Sequence, residues 1–293
     1  MKVNYQDKCR ALKSYILGDD ITFVMEAHNA LSARIAQEAG FRAVWASGLS
    51  ISATLGLADR NHASWTQVLD VAEFMADHVS VPVLLDGDTG FGNYQNVMRL
   101  TRKLGQRGIA GVCLEDKIFP KLNSFLGDNQ ELTPIDDFCS KLRAAKDSQV
   151  DENFSVIART ETLIAGRGME EALERAERYR EAGADAILIH SKRKTADEVL
   201  EFARRWERRS PLVVVPTMYY RTPASAFRDA GISCVIWANH SLRSSISAMR
   251  RTTSAIMRNE SVAPIEEDIA SLDEVFNLTG EVQAREADKR YAL

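Results

Sequence analysis

The stretch SVIARTETLIAGRGMEEALERAERYREAGADAILIH, residues 155–190, reads as strand, helix, strand. SVIAR (155–159) and AILIH (186–190) are short continuous apolar runs, the form taken by parallel strands covered on both faces. Between them MEEALERAERYREAGA (169–184) has the spacing of an amphipathic helix, and Gly183 stands just past its end. Working outward, the same rhythm recurs at TFVME (22–26), AVWAS (43–47), PVLLD (82–86), GVCLE (111–115), LVVVP (212–216) and CVIWA (234–238). Helical patterns such as NALSARIAQEAG (29–40) and SWTQVLDVAEFMADHV (64–79) separate the runs, and Gly40 and Gly231 again fall where helices should stop. Eight βα units predict an α/β chain folded as a (β/α)8 TIM-type barrel, although an open sheet with one extra strand has a similar rhythm.

Composition sets the outer bounds. The chain has 293 residues, 45% hydrophobic and 27% charged, and α/β barrels of about this size form one unit, so a single domain is expected. A net charge of −4 gives no broad electrostatic footprint for nucleic acid or an anionic membrane. No apolar h-region opens the sequence and no stretch approaches the ~18 apolar residues of a membrane span, which predicts a cytoplasmic protein. Cys9, Cys113, Cys139 and Cys234 are too scattered for a disulfide framework and are expected to be reduced. RRWERR (204–209) reads as a solvated helix face, and the Met and aromatic residues of AEFMADHV as core filler.

Two segments depart from the rhythm. Residues 116–134, DKIFPKLNSFLGDNQELTP, form a connection long enough to be functional, as an active-site lid would be. From about residue 260 to 293 the chain is polar apart from the apolar stripe of IASLDEVFNL, more than an eighth unit needs, and reads as a helical extension packing on a neighbouring subunit.

Barrel enzymes carry their chemistry at the C-terminal ends of the strands. Here the third strand ends in Asp86 and Asp88, the fourth in Glu115 and Asp116, the fifth in Arg159 and Glu161, and the sixth in His190. Any one of these could be a satisfied cap. Acids from adjacent strands repel unless a cation sits among them, so Asp86, Asp88 and Glu115 imply a metal. An all-carboxylate set favours Mg²⁺, or Mn²⁺, over zinc, with Asp86 as the direct ligand and the other two acting largely through water. Arg159 and His190 add donors for an anion, which a guanidinium can grip bidentately, unless Arg159 merely pairs with Glu161. The turn GDTGFGN matches neither a P-loop nor a dinucleotide fingerprint, and reads as a tight turn into a helix beginning near Asn93.

Residues 115–124, EDKIFPKLNS, fit the pattern E-D-K-x5-N-S, and with them stand SGLSISATLGLADRN (47–61), LLDGDTGFGN (84–93), IART (157–160) and ILIHS (187–191). On these motifs the whole chain resembles the isocitrate lyase/phosphoenolpyruvate mutase superfamily, and within it the mutase branch. The resemblance implies interconversion of phosphoenolpyruvate and phosphonopyruvate, the reaction that forms a P–C bond in phosphonate biosynthesis. It implies that Ser47, Gly48 and Leu49, with Trp45 beside them, bind the substrate carboxylate. Asp59 is implied as an active-site aspartate, either nucleophile or organiser. Lys121, Asn123 and Ser124 belong to the lid, and Asn123, Arg159 and His190 to the grip on the phosphoryl group. It also implies a C-terminal helix exchanged between subunits, giving a homodimer or homotetramer.

Other activities share this architecture. The lyase branch carries K-K-C-G-H in the loop after the fourth strand, where this chain has Pro120-Lys121-Leu122-Asn123-Ser124 and no Cys, which argues against a C–C lyase or decarboxylase. Similar phosphonopyruvate hydrolases have Thr at the position of Asn123, so the Asn favours transfer over hydrolysis. A non-catalytic sensor of a small acid would have no need for the full set of Asp86, Glu115, Arg159 and His190.

Overall fold

A computed structural model describes residues 3–127 and 130–292. Eight parallel strands close into a barrel in sequence order: β1 (Thr22–Ala27), β2 (Ala43–Ala46), β3 (Val83–Asp86), β4 (Gly111–Glu115), β5 (Ser155–Thr160), β6 (Ala186–Ile189), β7 (Leu212–Val214) and β8 (Cys234–Trp237), with β8 pairing back onto β1. This is the expected α/β barrel, and closure removes the alternative of an open sheet. Each strand lies where an apolar run predicts it. The seventh is the shortest, ending before Pro216, which has no N–H with which to extend a ladder.

The first unit, residues 1–239, is the barrel. Helix α1 (Tyr5–Leu17) precedes the strands. The helices α2 (Ala30–Glu38), α3 (Gly48–Thr54), α4 (Trp65–His78), α5 (Tyr94–Gln106), α6 (Ile135–Ser148), α7 (Met169–Glu181), α8 (Asp197–Trp206) and α9 (Ala224–Asp229) fill the connections. Local chemistry sets their ends. Asn29, Ser64 and Asn93 cap α2, α4 and α5, each with a side-chain oxygen accepting from an amide of the first turn. Gly183 follows α7 at φ +99°, a left-handed conformation that would strain any residue with a Cβ.

Two expectations about side chains need correction. In α4 the inward face is Val68, Leu69, Ala72, Met75 and Ala76, at helical spacing, so Phe74 falls off it and is 67% exposed rather than core. In RRWERR the arginines are at the surface, but Trp206 is fully buried and its indole N–H donates to the Ser210 carbonyl. The helix stops at Trp206 because Glu207 and Arg208 turn left-handed.

The second unit, His240–Leu293, comprises α10 (His240–Asn259), α11 (Leu272–Thr279) and α12 (Glu281–Tyr291). Met257, Leu272, Val275, Phe276 and Val282 leave apolar surface exposed along these helices. Among the described residues, no helix is long and apolar enough to cross a membrane.

Candidate active site

Parallel register determines which side chains meet. Glu115 of β4 lies directly beside Arg159 of β5, and Arg159 beside Leu188 of β6, two residues before His190 on the same strand end. At the end of β3 the chain turns sharply. Asp88 adopts φ +48°, a conformation uncommon for a residue with a side chain and typical of functional turns. The turn is pinned from both sides: the Asp88 carbonyl accepts from the Glu115 amide at 2.8 Å, and the buried ammonium of Lys141 donates to the Thr89 carbonyl at 2.9 Å.

Gly48 opens α3 against this turn. Its N–H donates to Asp86 Oδ2 at 3.3 Å, and a Cβ there would lie 3.1 Å from Asp88 Oδ1 and 3.3 Å from Asp86 Oδ2. The two carboxylates therefore close on bare backbone. Ser47 caps the same helix, accepting from the Ser50 amide, while its own N–H donates to the Ala27 carbonyl. Of the donors expected for a substrate carboxylate in this stretch, the Ser47 and Gly48 amides are thus already engaged. The Ser47 hydroxyl hydrogen and the first-turn amide of Leu49 are the donors left for that role.

The acids are deeply buried. Burial, with Asp86, Asp59 and Glu115 adding repulsion and Lys121 opposing, pushes the Asp88 carboxyl up to about 8. Burial also raises Glu115, although Arg159 pulls the other way, and Glu115 Oε1 has no hydrogen-bond partner. An uncompensated buried carboxylate oxygen costs on the order of several kcal/mol. That orphaned oxygen, in a donor set made only of carboxylates, fits a hard divalent cation. Among the described residues no three acidic, His or Cys groups converge into a cage; Mg²⁺ commonly takes only one or two protein oxygens and keeps several waters.

The connection after β4, expected from sequence to be a lid, supplies the opposing charge. Lys121, nearly buried, reaches both Asp88 Oδ1 at 2.5 Å and Asp59 Oδ1 at 2.8 Å. Desolvation works against its charge, yet Asp88, Glu115 and Asp59 hold the ammonium well above its ordinary range. Asn123 Nδ2 donates to Asp59 Oδ2 at 2.7 Å, so both oxygens of Asp59 are taken by the lid. Burial favours the neutral form of Asp59, but Lys121 and Asn123 together hold its carboxyl below the usual range. Asn61, which sequence reasoning did not single out, donates to Asp88 Oδ2 at 2.7 Å and accepts from the Lys121 amide at 2.8 Å.

On the other wall Glu161 organises the donors. Its Oε1 lies 2.6 Å from Arg159 Nε and 2.7 Å from His190 Nδ1, and its Oε2 accepts from the Ser124 hydroxyl at 2.6 Å, with Lys117 Nζ at 3.3 Å. Desolvation opposes ionisation, but Arg159, His190 and Lys117 hold Glu161 well below the ordinary carboxylate range. The same burial, with Arg159 nearby, lowers His190 despite the pull of Glu161, which favours the neutral imidazole. Arg159 does pair with Glu161, the alternative weighed from sequence, and its Nη2 also reaches Ser124 and His190.

These walls enclose a cavity of about 60 Å³ lined by Trp45, Ser47, Leu49, Asp59, Asp86, Lys121, Asn123, Ser124, Arg159 and His190. Its small volume and its Arg159 and His190 donors suit a small acid. Of the expected site residues, Gly48, Asp88 and Glu115 stand just behind this lining. Phe125, Thr217 and Asn239 also line it and were not expected; Phe125 packs edge-on against His190, with ring centroids 5.4 Å apart, and Asn239 Oδ1 is buried without a partner. Thr217 and Asn239 follow the seventh and eighth strands, so strand-end position was their one signal in the sequence.

Residues 12–257 match the sequence pattern of the family described as phosphoenolpyruvate phosphomutase. The chain belongs to the phosphoenolpyruvate phosphomutase family. Within reach of that family, the chain is 55% identical over 285 residues to a phosphoenolpyruvate phosphomutase of Tetrahymena pyriformis, covering 97% of this chain and 95% of the relative. Its fold is that of a crystal structure of phosphoenolpyruvate phosphomutase from Streptomyces platensis subsp. rosaceus, with a TM-score of 0.95 at 44% identity over 97% of this chain and 99% of that one. A phosphonopyruvate hydrolase solved in complex with oxalate and Mg²⁺ gives a TM-score of 0.93 at 38% identity, over 98% and 99% of the two chains. The phosphomutase fold thus spans nearly the whole chain, and the hydrolase shares it.

Proposed function

We propose that this chain is a phosphoenolpyruvate phosphomutase, interconverting phosphoenolpyruvate and phosphonopyruvate. The observation that carries this reading is the closed lid: Lys121 and Asn123 are bonded to Asp59, and Ser124 to Glu161, over a small cavity lined by Arg159 and His190. Family membership supports it.

Asp86, with Asp88 and Glu115, would hold a divalent cation, Mg²⁺ or Mn²⁺, which when bound would supply positive charge to stabilise the enolate. Starting from phosphonopyruvate, the C–P bond breaks, its electron pair stays on pyruvate as the enolate, and the enolate oxygen forms the new O–P bond. No proton moves, so no general base is needed. What the residues must do is position the fragments and stabilise charge, which is most of what phosphoryl transfer asks of a protein. The Arg159 guanidinium and the His190 imidazole, both oriented by Glu161, face the phosphoryl oxygens along with Asn123. The Ser47 hydroxyl and Leu49 amide, with Trp45 alongside, hold the substrate carboxylate. Asp59 serves as the lid's latch, since Lys121 and Asn123 occupy both of its oxygens. Water is the competitor for the phosphoryl group, and the latched lid keeps it out.

The reading extends to the setting. A small central-metabolite substrate and four buried free cysteines suit the cytoplasm. The exposed apolar faces of α10 to α12 suit burial on a neighbouring subunit, in a homodimer or homotetramer made by helix exchange.

Phosphorus NMR of phosphonopyruvate incubated with the protein and Mg²⁺ tests the assignment. Phosphoenolpyruvate is the expected product. Inorganic phosphate with pyruvate would make the chain a hydrolase instead, and binding without turnover would make it a sensor.

A further inference from the structure

The two roots of the lid meet in a buried cluster that lines none of the cavity. Asp116, fully buried, begins the lid; Thr133 ends it, and the Thr133 amide donates to the Asp116 carbonyl at 2.8 Å. Arg175 of α7, also buried, spans both: its Nη1 donates to the Thr133 carbonyl at 2.9 Å and lies 3.4 Å from Asp116 Oδ2. The Tyr179 hydroxyl, one helical turn further along α7, donates to the same Asp116 oxygen at 2.7 Å and accepts from Arg175 Nη1 at 3.0 Å. The other Asp116 oxygen accepts from the Glu161 amide at 2.8 Å. Glu161 is the residue whose carboxylate receives Arg159 and His190 from the barrel and Lys117 and Ser124 from the lid. One carboxylate, Asp116, therefore fixes the lid root through its own backbone and the donor organiser through its side chain.

We propose that Arg175, seconded by Tyr179, is a positioning residue that ties both roots of the lid to Glu161 and so sets how well the closed lid excludes water from the transferring phosphoryl group. The consequence for product rests on the phosphomutase reading; the anchoring of the lid does not. Among the described residues Arg175 is the cation paired with Asp116, and a methionine in its place removes both the charge and the bond to Thr133. The lid roots would then lose the tie to α7 that Arg175 makes, keeping the bonds they make to each other, to β5 and to Tyr179, while every residue lining the cavity is left in place.

The test pairs two readouts on Arg175→Met and Tyr179→Phe. Hydrogen exchange over residues 117–127 should quicken by roughly tenfold or more in Arg175→Met and about threefold in Tyr179→Phe, with strands β6 and β8 protected as before. In phosphorus NMR with phosphonopyruvate and Mg²⁺, the ratio of phosphate to phosphoenolpyruvate should rise in the same order, a shift that a general loss of stability would not produce. Unchanged lid exchange in a folded Arg175→Met variant, or exchange quickened equally in the strands, overturns the proposal. Should Arg175→Met lose cooperative melting, Tyr179→Phe decides, since it removes one hydroxyl, and unchanged lid exchange there overturns the proposal equally. If the unsubstituted protein forms no phosphoenolpyruvate, the functional reading fails while the exchange arm still decides the anchoring.

Discussion

Lys121 Nζ lies 2.5 Å from Asp88 Oδ1, so the lid delivers a buried cation to the acid just past the end of β3, in the cavity that Arg159 and His190 also line. From its motif Lys121 was expected in the lid. Its position among Asp88, Asp59 and Glu115 gives it a further task, neutralising buried acids as the lid closes.

Lys121→Met should separate closure from metal binding. Without the ammonium, Asp88 has one fewer competitor for a cation, so calorimetric Mg²⁺ affinity should hold or tighten. Turnover should fall by roughly a hundredfold, as for loss of a preorganised charge in a dry site. A parallel loss of Mg²⁺ affinity and turnover would show that Lys121 supports the metal site rather than the lid.

Gly48→Ala probes the approach of backbone to the acids. The added Cβ would sit 3.1 Å from Asp88 Oδ1 and 3.3 Å from Asp86 Oδ2, tighter than ordinary contact, and the carboxylates must spread to admit it. The Mg²⁺ dissociation constant should rise about tenfold, equivalent to ~1.4 kcal/mol. Thermal stability should change little, because Ala suits the first turn of a helix. Unaltered Mg²⁺ affinity in calorimetry would mean that these two acids do not hold the ion.

Asn123→Ala removes one of the two bonds that latch the lid to Asp59. Turnover of phosphonopyruvate to phosphoenolpyruvate should drop by roughly tenfold or more, the loss expected when a transition-state contact goes. Steady-state kinetics with unchanged turnover would remove Asn123 from the mechanism.

His190 gives a pH signature. In the unfolded chain it protonates near ~6.5. Burial and Arg159 lower that value in the folded protein, with Glu161 opposing. Between the two values the unfolded state binds more protons, so this group's contribution to stability grows as pH rises and is lost as pH falls below about 6.5. The ring should stay neutral to a lower pH than an ordinary histidine, and kcat/KM should show no acid limb near the ordinary histidine value. Histidine ring NMR, assigned with His190→Asn, checks this; a midpoint at or above ~6.5 would contradict the buried, Arg159-facing placement.

The barrel was legible because its signal is periodic: SVIAR and AILIH are apolar throughout since both faces are covered, and each became a strand. The site was legible to the extent that strand ends are shared ground, which brings Asp86, Glu115, Arg159 and His190 to one rim. Phe74 escaped because apolar composition says nothing about which side of α4 a residue takes. Asn61 and the Arg175–Asp116–Tyr179 cluster escaped for another reason. Their partners are 27, 59 and 63 residues away in sequence, and such pairings exist only once the lid is folded against the barrel. The partners of Lys121, too, depend on that closure rather than on the motif that contains it.

The account stands on acids from β3 and β4 gathering a divalent ion opposite Arg159 and His190. Phosphorus NMR of phosphonopyruvate turnover, run on protein stripped with EDTA and again after Mg²⁺ is restored, addresses it most directly. The expected result is that phosphoenolpyruvate formation all but stops in the stripped protein and returns with the ion. Equal formation in both samples would contradict it.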